Sequence, residues 1–187
     1  MELIALVRAL ELRPIDQLTH AQQMQLLTMR NQPEVRNNMY TSHVISKDEH
    51  ANWVQGLEGD ESREFFGVFL DGELIGAISL NDISRANHRA DWAFYLDANR
   101  QGGGIGSALE FKFLEYAFEK LEKLNCEVLE FNEPVIKLHK KFGFKEEGVR
   151  RRHIERDGQY YDIVLLGITA DEWRASRARL IEGAFRD

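Results

Sequence analysis

The stretch RQGGGIGSAL, Arg100 to Leu109, decides how this chain folds. A short apolar strand candidate, WAFYL (Trp92 to Leu96), stands before it and a long helical pattern follows, so its glycines mark a turn from strand to helix. Four of the five residues 102–106 are glycine, which leaves the backbone free to approach a ligand closely. The helix behind offers unpaired N–H groups and the positive end of its dipole. A turn of this build binds phosphate.

Upstream of the turn, Leu6 to Arg13 (LVRALELR) predicts a first strand with Leu6, Leu10 and Leu12 on one face, stopped by Pro14. Two capping boxes, Thr19-x-x-Gln22 and Ser46-x-x-Glu49, predict helices. The first runs toward Arg30 and Asn31 and is ended by Pro33; the second carries His50, Trp53, Val54 and Leu57 at helical spacing. Phe65–Leu70 and Glu73–Leu80 pair as antiparallel strands across Asp71-Gly72, and Arg89–Leu96 follows as another strand. Downstream, a helix from Ile105 to about Lys123 is apolar over a wide arc, which predicts packing on a sheet. Cys126–Phe131 then reads as a strand, and Asn132 as the N-cap of a short helix with Pro134 in its first turn and Gly143 at its C-cap. Phe144–Ile154 and Tyr160–Ile168 form a hairpin across Asp157-Gly158, and a third capping box, Thr169-x-x-Glu172, starts a C-terminal helix. The predicted order is β-α-α-β-β-β-α-β-α-β-β-α: a mixed central sheet flanked by helices, one α/β domain over residues 1–187.

Composition narrows the function. The net charge of -7 argues against a general nucleic-acid binder, so the run Arg150-Arg151-Arg152-His153 reads as a solvated arm or an anion contact. Cys126 is the only cysteine, which excludes an intrachain disulfide and a CxxC pair and predicts a reducing, cytoplasmic setting. No segment approaches the length of a membrane span, so no membrane partner is expected. The six histidines lack ligand spacing such as HExxH, and no metal is expected. Trp53 and Trp173, at helical spacing with aliphatic residues, read as core.

Three phosphate-binding turns begin as this one does. A Walker A loop needs Lys-Ser/Thr after its last glycine, but Gly106 is followed by Ser107 and Ala108. A Rossmann fingerprint needs Gly-x-Gly-x-x-Gly/Ala, but Gly102-x-Gly104 leads to Ser107 and Gly104-x-Gly106 to Leu109. What remains, Gln101-x-x-Gly104-x-Gly106, resembles the coenzyme A signature of the GCN5-related N-acetyltransferase superfamily. A second marker of that superfamily, an Asn followed by a short helix ending Leu-Tyr-x-Lys-x-Gly-Phe, is matched by Asn132 and by Leu138-His139-Lys140-Lys141-Phe142-Gly143-Phe144. The resemblance implies the acetyl-CoA N-acyltransferase fold, with acetyl-CoA as cosubstrate. Its pyrophosphate would lie on the amides of Gln101, Gly102, Gly103, Gly104, Ile105, Gly106 and Ser107, with Leu96, Asn132 and Lys141 completing the cofactor set.

A closer likeness lies outside these shared motifs. MRNQPEVRNNMY (Met29 to Tyr40), Ile45-Ser46 with His50, GAISL, EVLEFNEPVIKLHKKFGF and DGQYYDIVLLGITADEW resemble the N-acetyltransferases of bacterial pseudaminic acid biosynthesis. That family acetylates the 4-amino group of UDP-4-amino-4,6-dideoxy-N-acetyl-β-L-altrosamine, on the way to the sugar placed on flagellin. The resemblance sets Arg30 and His50 against the UDP moiety and Tyr95 beside the reaction centre; Arg suits a diphosphate because its fork donates two parallel hydrogen bonds. His50 is equally readable as a packed helix residue. Ser79 and Asn81 are further substrate-side candidates, and Asp82 would be unfavourable beside a diphosphate.

Acetyl transfer to an amine needs a base for the amine proton, an N–H to hold the oxyanion and an acid for the leaving thiolate. Glu127 is the base candidate; Glu130, three positions on, falls on the opposite strand face. The oxyanion donor is the backbone N–H near Leu96. His139 stands where the superfamily has its Tyr acid, and imidazolium can also release a proton, with an unperturbed pKa of about 6.5 against about 10 for Tyr. It also fits a packed position between helix and sheet. The expected partner is thus a small-molecule UDP-amino sugar, with no nucleic acid, and a homodimer is an assembly open to the chain. The rivals are an acetyltransferase of ribosomal-protein N-termini or of polyamines, and a non-catalytic CoA-binding module.

Overall fold

The computed structural model describes residues 3–184; positions 1–2 and 185–187 of the expected domain lie outside the described residues. Seven strands form one sheet in the order β1-β2-β3-β4-β5-β7-β6. They are β1 (Leu10–Pro14), β2 (Glu64–Leu70), β3 (Glu73–Ser84), β4 (Arg89–Leu96), β5 (Lys123–Leu129), β6 (Lys145–Arg156) and β7 (Gln159–Thr169). The helices are α1 (Leu3–Ala9), α2 (His20–Arg30), α3 (Pro33–Arg36), α4 (Lys47–Gln55), α5 (Ile105–Ala117), α6 (Glu133–Phe142) and α7 (Ala170–Ala184). The mixed sheet with flanking helices is the expected α/β architecture. β3 is its most enclosed strand, buried without interruption from Leu74 to Leu80, as a strand covered on both faces must be. α5 supplies the opposing core with Leu109, Phe113 and Leu114, all fully buried.

Local signals explain most element ends. Asp71 and Gly72 (φ 51° and 83°) and Asp157 and Gly158 (φ 51° and 79°) take the left-handed conformation that a two-residue hairpin needs. The Thr19 and Ser46 boxes close reciprocally on Gln22 and Glu49. Thr169 and Glu172 do the same at the start of α7.

Two expectations needed correction. The segment predicted as a strand from Leu6 divides into α1 and a short β1, because Leu6 and Leu10 are four apart and both point into the core, a spacing that suits a helix as well as the alternation. Lys112 of α5 donates to the Val7 carbonyl at 3.1 Å and ties this helix down. The second concerns α5, which stops at Ala117, six residues short of Lys123. Leu124, Cys126 and Val128 then bury alternate positions of β5, whose pairing on both sides wins over continued helix. Pro33 does not merely end α2 but opens α3 at its first turn.

Every neighbouring strand pair is antiparallel except β4 with β5, which run parallel. Their pairing covers only Arg89–Asp91 against Lys123–Asn125. Beyond it the two strands separate, and a cleft opens between Trp92–Leu96 and Cys126–Val128. On its other side β4 stays paired with β3, Leu96 opposite Gly76. A Cβ at Gly76 would run into the Tyr95 carbonyl oxygen and stand 3.0 Å from the Leu96 Cα. Gly76→Ala should therefore destabilise the protein by about 1–3 kcal/mol, the usual range for forcing atoms into packed space. Thermal unfolding checks this, and an unchanged midpoint would show that β4 is not held this tightly.

Candidate active site

The glycine turn is built from three consecutive left-handed residues, Gly102, Gly103 and Gly104, at φ 94°, 58° and 81°. Only glycine takes such a run without strain. α5 begins directly behind it with Gly104 as N-cap and no side-chain cap. Ile105 N–H bonds to Gly102 O and Ala108 N–H to Gly104 O, so the amides of Gly106 and Ser107 between them have no intrahelical acceptor. No atom lies within 4 Å of a Cβ built on Gly102 or Gly103, which leaves the turn open to a ligand.

The turn borders a cleft of about 530 Å³ whose wall includes Leu96, Gln101, Gly102, Gly106, Glu127, Asn132 and His139. The register of β4 determines what its backbone offers there. Asp97 N–H bonds to Ile75 O, so residues 97 and 75 form a hydrogen-bonded pair. Such pairs alternate along an antiparallel ladder, which makes Leu96 and Gly76 a non-hydrogen-bonded pair. The Leu96 N–H therefore points away from β3, toward β5, and β5 has already diverged. It faces the cleft.

Asn132 starts α6 through its carbonyl, which accepts from Val135 and Ile136, but its side chain makes no cap. Asn132 is thus the N-cap of α6 by position, without a side-chain cap hydrogen bond, and the residue lines the cleft. Gly103, Gly104, Ile105 and Ser107 belong to the turn and the first helical turn behind it. Lys141 is separate: it is exposed at the far end of α6 and is not part of the cleft wall.

Glu127 is on the cleft side of β5, and both of its oxygens are engaged. Arg150 lies 2.6 Å from Oε1, and the Tyr40 hydroxyl donates to Oε2. Burial, reinforced by this carboxylate, raises the Tyr40 pKa well above its ordinary value. Each oxygen keeps a further lone pair. Glu130 is exposed and accepts from Asp162 N–H, as its opposite face requires. Of the basic run, Arg150 is the anion contact, and Arg152 lies over the Tyr160 ring. His139 is buried, and its Nδ1 is 3.0 Å from a carboxylate oxygen of Glu110, which is fully buried on α5.

A second cavity, of about 600 Å³, adjoins the cleft through Met39, Ala93, Phe94 and Tyr95, which line both. It gathers all five residues expected on the substrate side: Arg30, His50, Ser79, Asn81 and Tyr95. Arg30 Nη2 donates to Thr41 O at 3.0 Å, whereas Nη1 is buried with no partner, as is His50 Nε2. Burial lowers the pKa of both groups, Tyr95 opposing it for Arg30 and a hydrogen bond to the Gln23 backbone opposing it for His50. Burial likewise raises that of Tyr95. Ser79 Oγ accepts from the Asn81 amide at 3.0 Å. Asp82 sits in the bulge that interrupts the β3–β4 register, at φ 47°, exposed and outside the cavity wall. It does not confront a ligand there. Trp53, expected in the core, is half-buried in this wall, edge-to-face with Phe65 at 4.7 Å, while Trp173 is core.

The segment Asn37–His43, whose Met39 lines both cavities, is held by guanidinium groups that donate to its carbonyls. Arg30 takes Thr41 O, Arg36 takes Ser42 O at 2.6 Å, and Arg156 takes Asn37 O and Met39 O. Neither this clamp nor a site role for Tyr40 is legible in the sequence, and Arg150 stands there only within a run that reads as a solvated arm or an anion contact. Glu110 carried the one faint signal, a carboxylate within the apolar arc of α5.

The acetyltransferase (GNAT) domain family matches residues 9–145 of the chain. The chain is similar to the SPbeta prophage-derived uncharacterized N-acetyltransferase YokL of Bacillus subtilis, 36% identical over 149 residues that cover 75% of this chain and 81% of that protein. It is similar also to the acetyltransferase PseH of Campylobacter jejuni, 29% identical over 128 residues that cover 67% and 78%. Among solved structures, the spermidine N-acetyltransferase of Vibrio cholerae in complex with CoA and spermine shares the fold with a TM-score of 0.82, at 22% identity and covering 89% of this chain and 99% of that one.

Among the described residues no helix is long and apolar enough to cross a membrane, and no three His, Cys, Asp or Glu side chains gather as metal ligands. Gly102→Ala tests the turn. An L-residue held left-handed costs about 1–2 kcal/mol, so a ligand that needs the turn in this shape should lose roughly tenfold in affinity. Calorimetric titration with CoA measures it, and a Kd within twofold of the unaltered protein would remove the turn from the binding site.

Proposed function

We propose that this chain, which belongs to the acetyltransferase (GNAT) family and transfers acetyl groups from acetyl-CoA to an amine, takes as its acceptor the 4-amino group of a UDP-linked amino sugar. In the specific form of this reading the acceptor is the 4-amino-4,6-dideoxy-altrosamine nucleotide that leads to pseudaminic acid and flagellin glycosylation. The observation that carries it is the unpartnered, buried Arg30 Nη1 in the acceptor cavity. A half-buried guanidinium with one unpaired nitrogen is best matched by an anionic or carbonyl acceptor, and a diphosphate supplies one. A polyamine would need carboxylates. The single carboxylate in that wall, Glu49, is occupied by His43 and by the Ser46 amide, and these hydrogen bonds push its pKa down to about 2. Trp53 and Phe65 offer aromatic faces to a base or sugar ring.

The chemistry follows from the junction of the two cavities. The cofactor's pyrophosphate rests on the turn amides, and its thioester lies along the opened edge of β4. There the Leu96 N–H receives the oxyanion of the tetrahedral adduct. The amine enters from the Arg30 side past Tyr95. Glu127 takes its proton through water, using a lone pair that Arg150 and Tyr40 leave free. His139 returns a proton to the departing sulfur.

The test is thiol release from acetyl-CoA with the UDP-4-amino sugar, with spermidine and with a ribosomal N-terminal peptide. Turnover with the sugar alone is expected; turnover with spermidine or the peptide but not the sugar overturns the acceptor assignment. Arg30→Met should raise KM for the sugar at least tenfold, since a hydrogen bond to a charged group is worth about 1.5–3 kcal/mol, and leave KM for acetyl-CoA unchanged. Glu127→Gln should lower kcat by roughly a hundredfold or more. A kcat within threefold of the unaltered enzyme would exclude Glu127 as the base.

A further inference from the structure

Glu110 is a carboxylate in the middle of the core. It is fully buried on α5; one oxygen meets His139 Nδ1 at 3.0 Å, and the other, Oε2, has no hydrogen-bond partner. Burial pushes its pKa up, while the charge and hydrogen bond of His139, and Lys141 beyond, pull it back. Two apolar side chains would fill the same volume at lower cost, so the pair is not explained by packing. The imidazole is fixed in its plane by aromatic rings, Trp92 at 5.0 Å, Phe144 at 5.2 Å and Phe94 at 6.2 Å between centroids. With Nδ1 taken by the carboxylate, Nε2 is the nitrogen left to the cofactor cleft that His139 helps to line.

We propose that Glu110 is a positioning residue that keeps His139 protonated at Nδ1 and so directs an Nε2 proton to the sulfur of coenzyme A as the thioester breaks. This rests on the role of His139 given above. When the tetrahedral adduct collapses, the C–S bond breaks and its electron pair leaves on sulfur. The Nε2 proton of imidazolium passes to sulfur and gives the free thiol. Neutral imidazole remains, with Nδ1–H donated to Glu110, and solvent reprotonates Nε2 for the next cycle. The nearby titratable groups are Lys141 on α6, Cys126 on β5, whose thiol burial holds protonated, and farther out Asp91 and Glu127.

The experiment measures thiol release by the unaltered enzyme, Glu110→Gln, Glu110→Asp, His139→Tyr and the Glu110→Gln/His139→Tyr double variant. The acceptor is whichever amine the enzyme turns over, or water through slow acetyl-CoA hydrolysis if none is. Failure of the sugar as acceptor therefore leaves this test intact. Glu110→Gln is expected to lower kcat by about 10- to 100-fold, less than the roughly 100- to 10,000-fold of losing a general acid outright because the imidazole itself remains, with KM for acetyl-CoA within twofold. Glu110→Asp should recover part of the loss. Removing the negative charge disfavours imidazolium, so the fall of kcat toward alkaline pH should move to lower pH in Glu110→Gln. In the His139→Tyr background, where a phenol replaces the imidazole, Glu110→Gln should cost less than twofold. An equal loss in both backgrounds, an unmoved pH profile, or no loss at all would overturn the proposal. If His139→Tyr does not fold, the pH profile of Glu110→Gln decides alone.

Discussion

The divergence of β4 from β5 after three paired residues is the constraint on which the rest of the site depends. A parallel pair zipped to its end would satisfy the outward N–H of Leu96 and leave no room between the strands. Because the pairing stops at Asp91 and Asn125, one strand presents a free amide and the other presents Glu127 across a gap. The elements that follow the two strands then close the gap at its mouth: the glycine turn after β4, and Asn132 with α6 after β5. Gly76 keeps β4 seated on β3 through this stretch, and so fixes where the Leu96 amide points.

Charge is distributed with similar economy in an acidic protein. Arg30, Arg36 and Arg156 do not form a basic surface but hold the carbonyls of residues 37–42, and Arg150 neutralises Glu127. That clamp holds the segment whose Tyr40 meets Glu127 and whose Met39 lines both cavities. Arg30, Arg36 and Arg156 each keep one buried nitrogen without a partner, and of the three Arg30 alone lines the second cavity.

Much of this was legible in the sequence because it is written in local chemistry. Asp-Gly pairs fixed both hairpins, capping boxes fixed three helix starts, and β4 ran from Arg89 to Leu96 as its alternation predicts. Leucines at a spacing that suits strand and helix alike hid α1, and the end of α5 depended on β5 pairing with strands far away in the chain. The site partners were hidden for the same reason. Tyr40 meets Glu127 across 87 positions and Glu110 meets His139 across 29, distances at which no periodicity speaks. Asn132 stands at the N-cap that the sequence pattern marks, but the pattern does not say whether its side chain bonds to the helix, and it does not.

A crystal structure of the protein with a non-hydrolysable acetyl-CoA analogue tests the account most directly. It predicts the acyl carbonyl oxygen within hydrogen-bond distance of the Leu96 amide, about 2.7–3.2 Å, with the pyrophosphate on the amides of the Gly102–Ser107 turn. A carbonyl oxygen turned away from β4, or a pyrophosphate bound elsewhere, would contradict it.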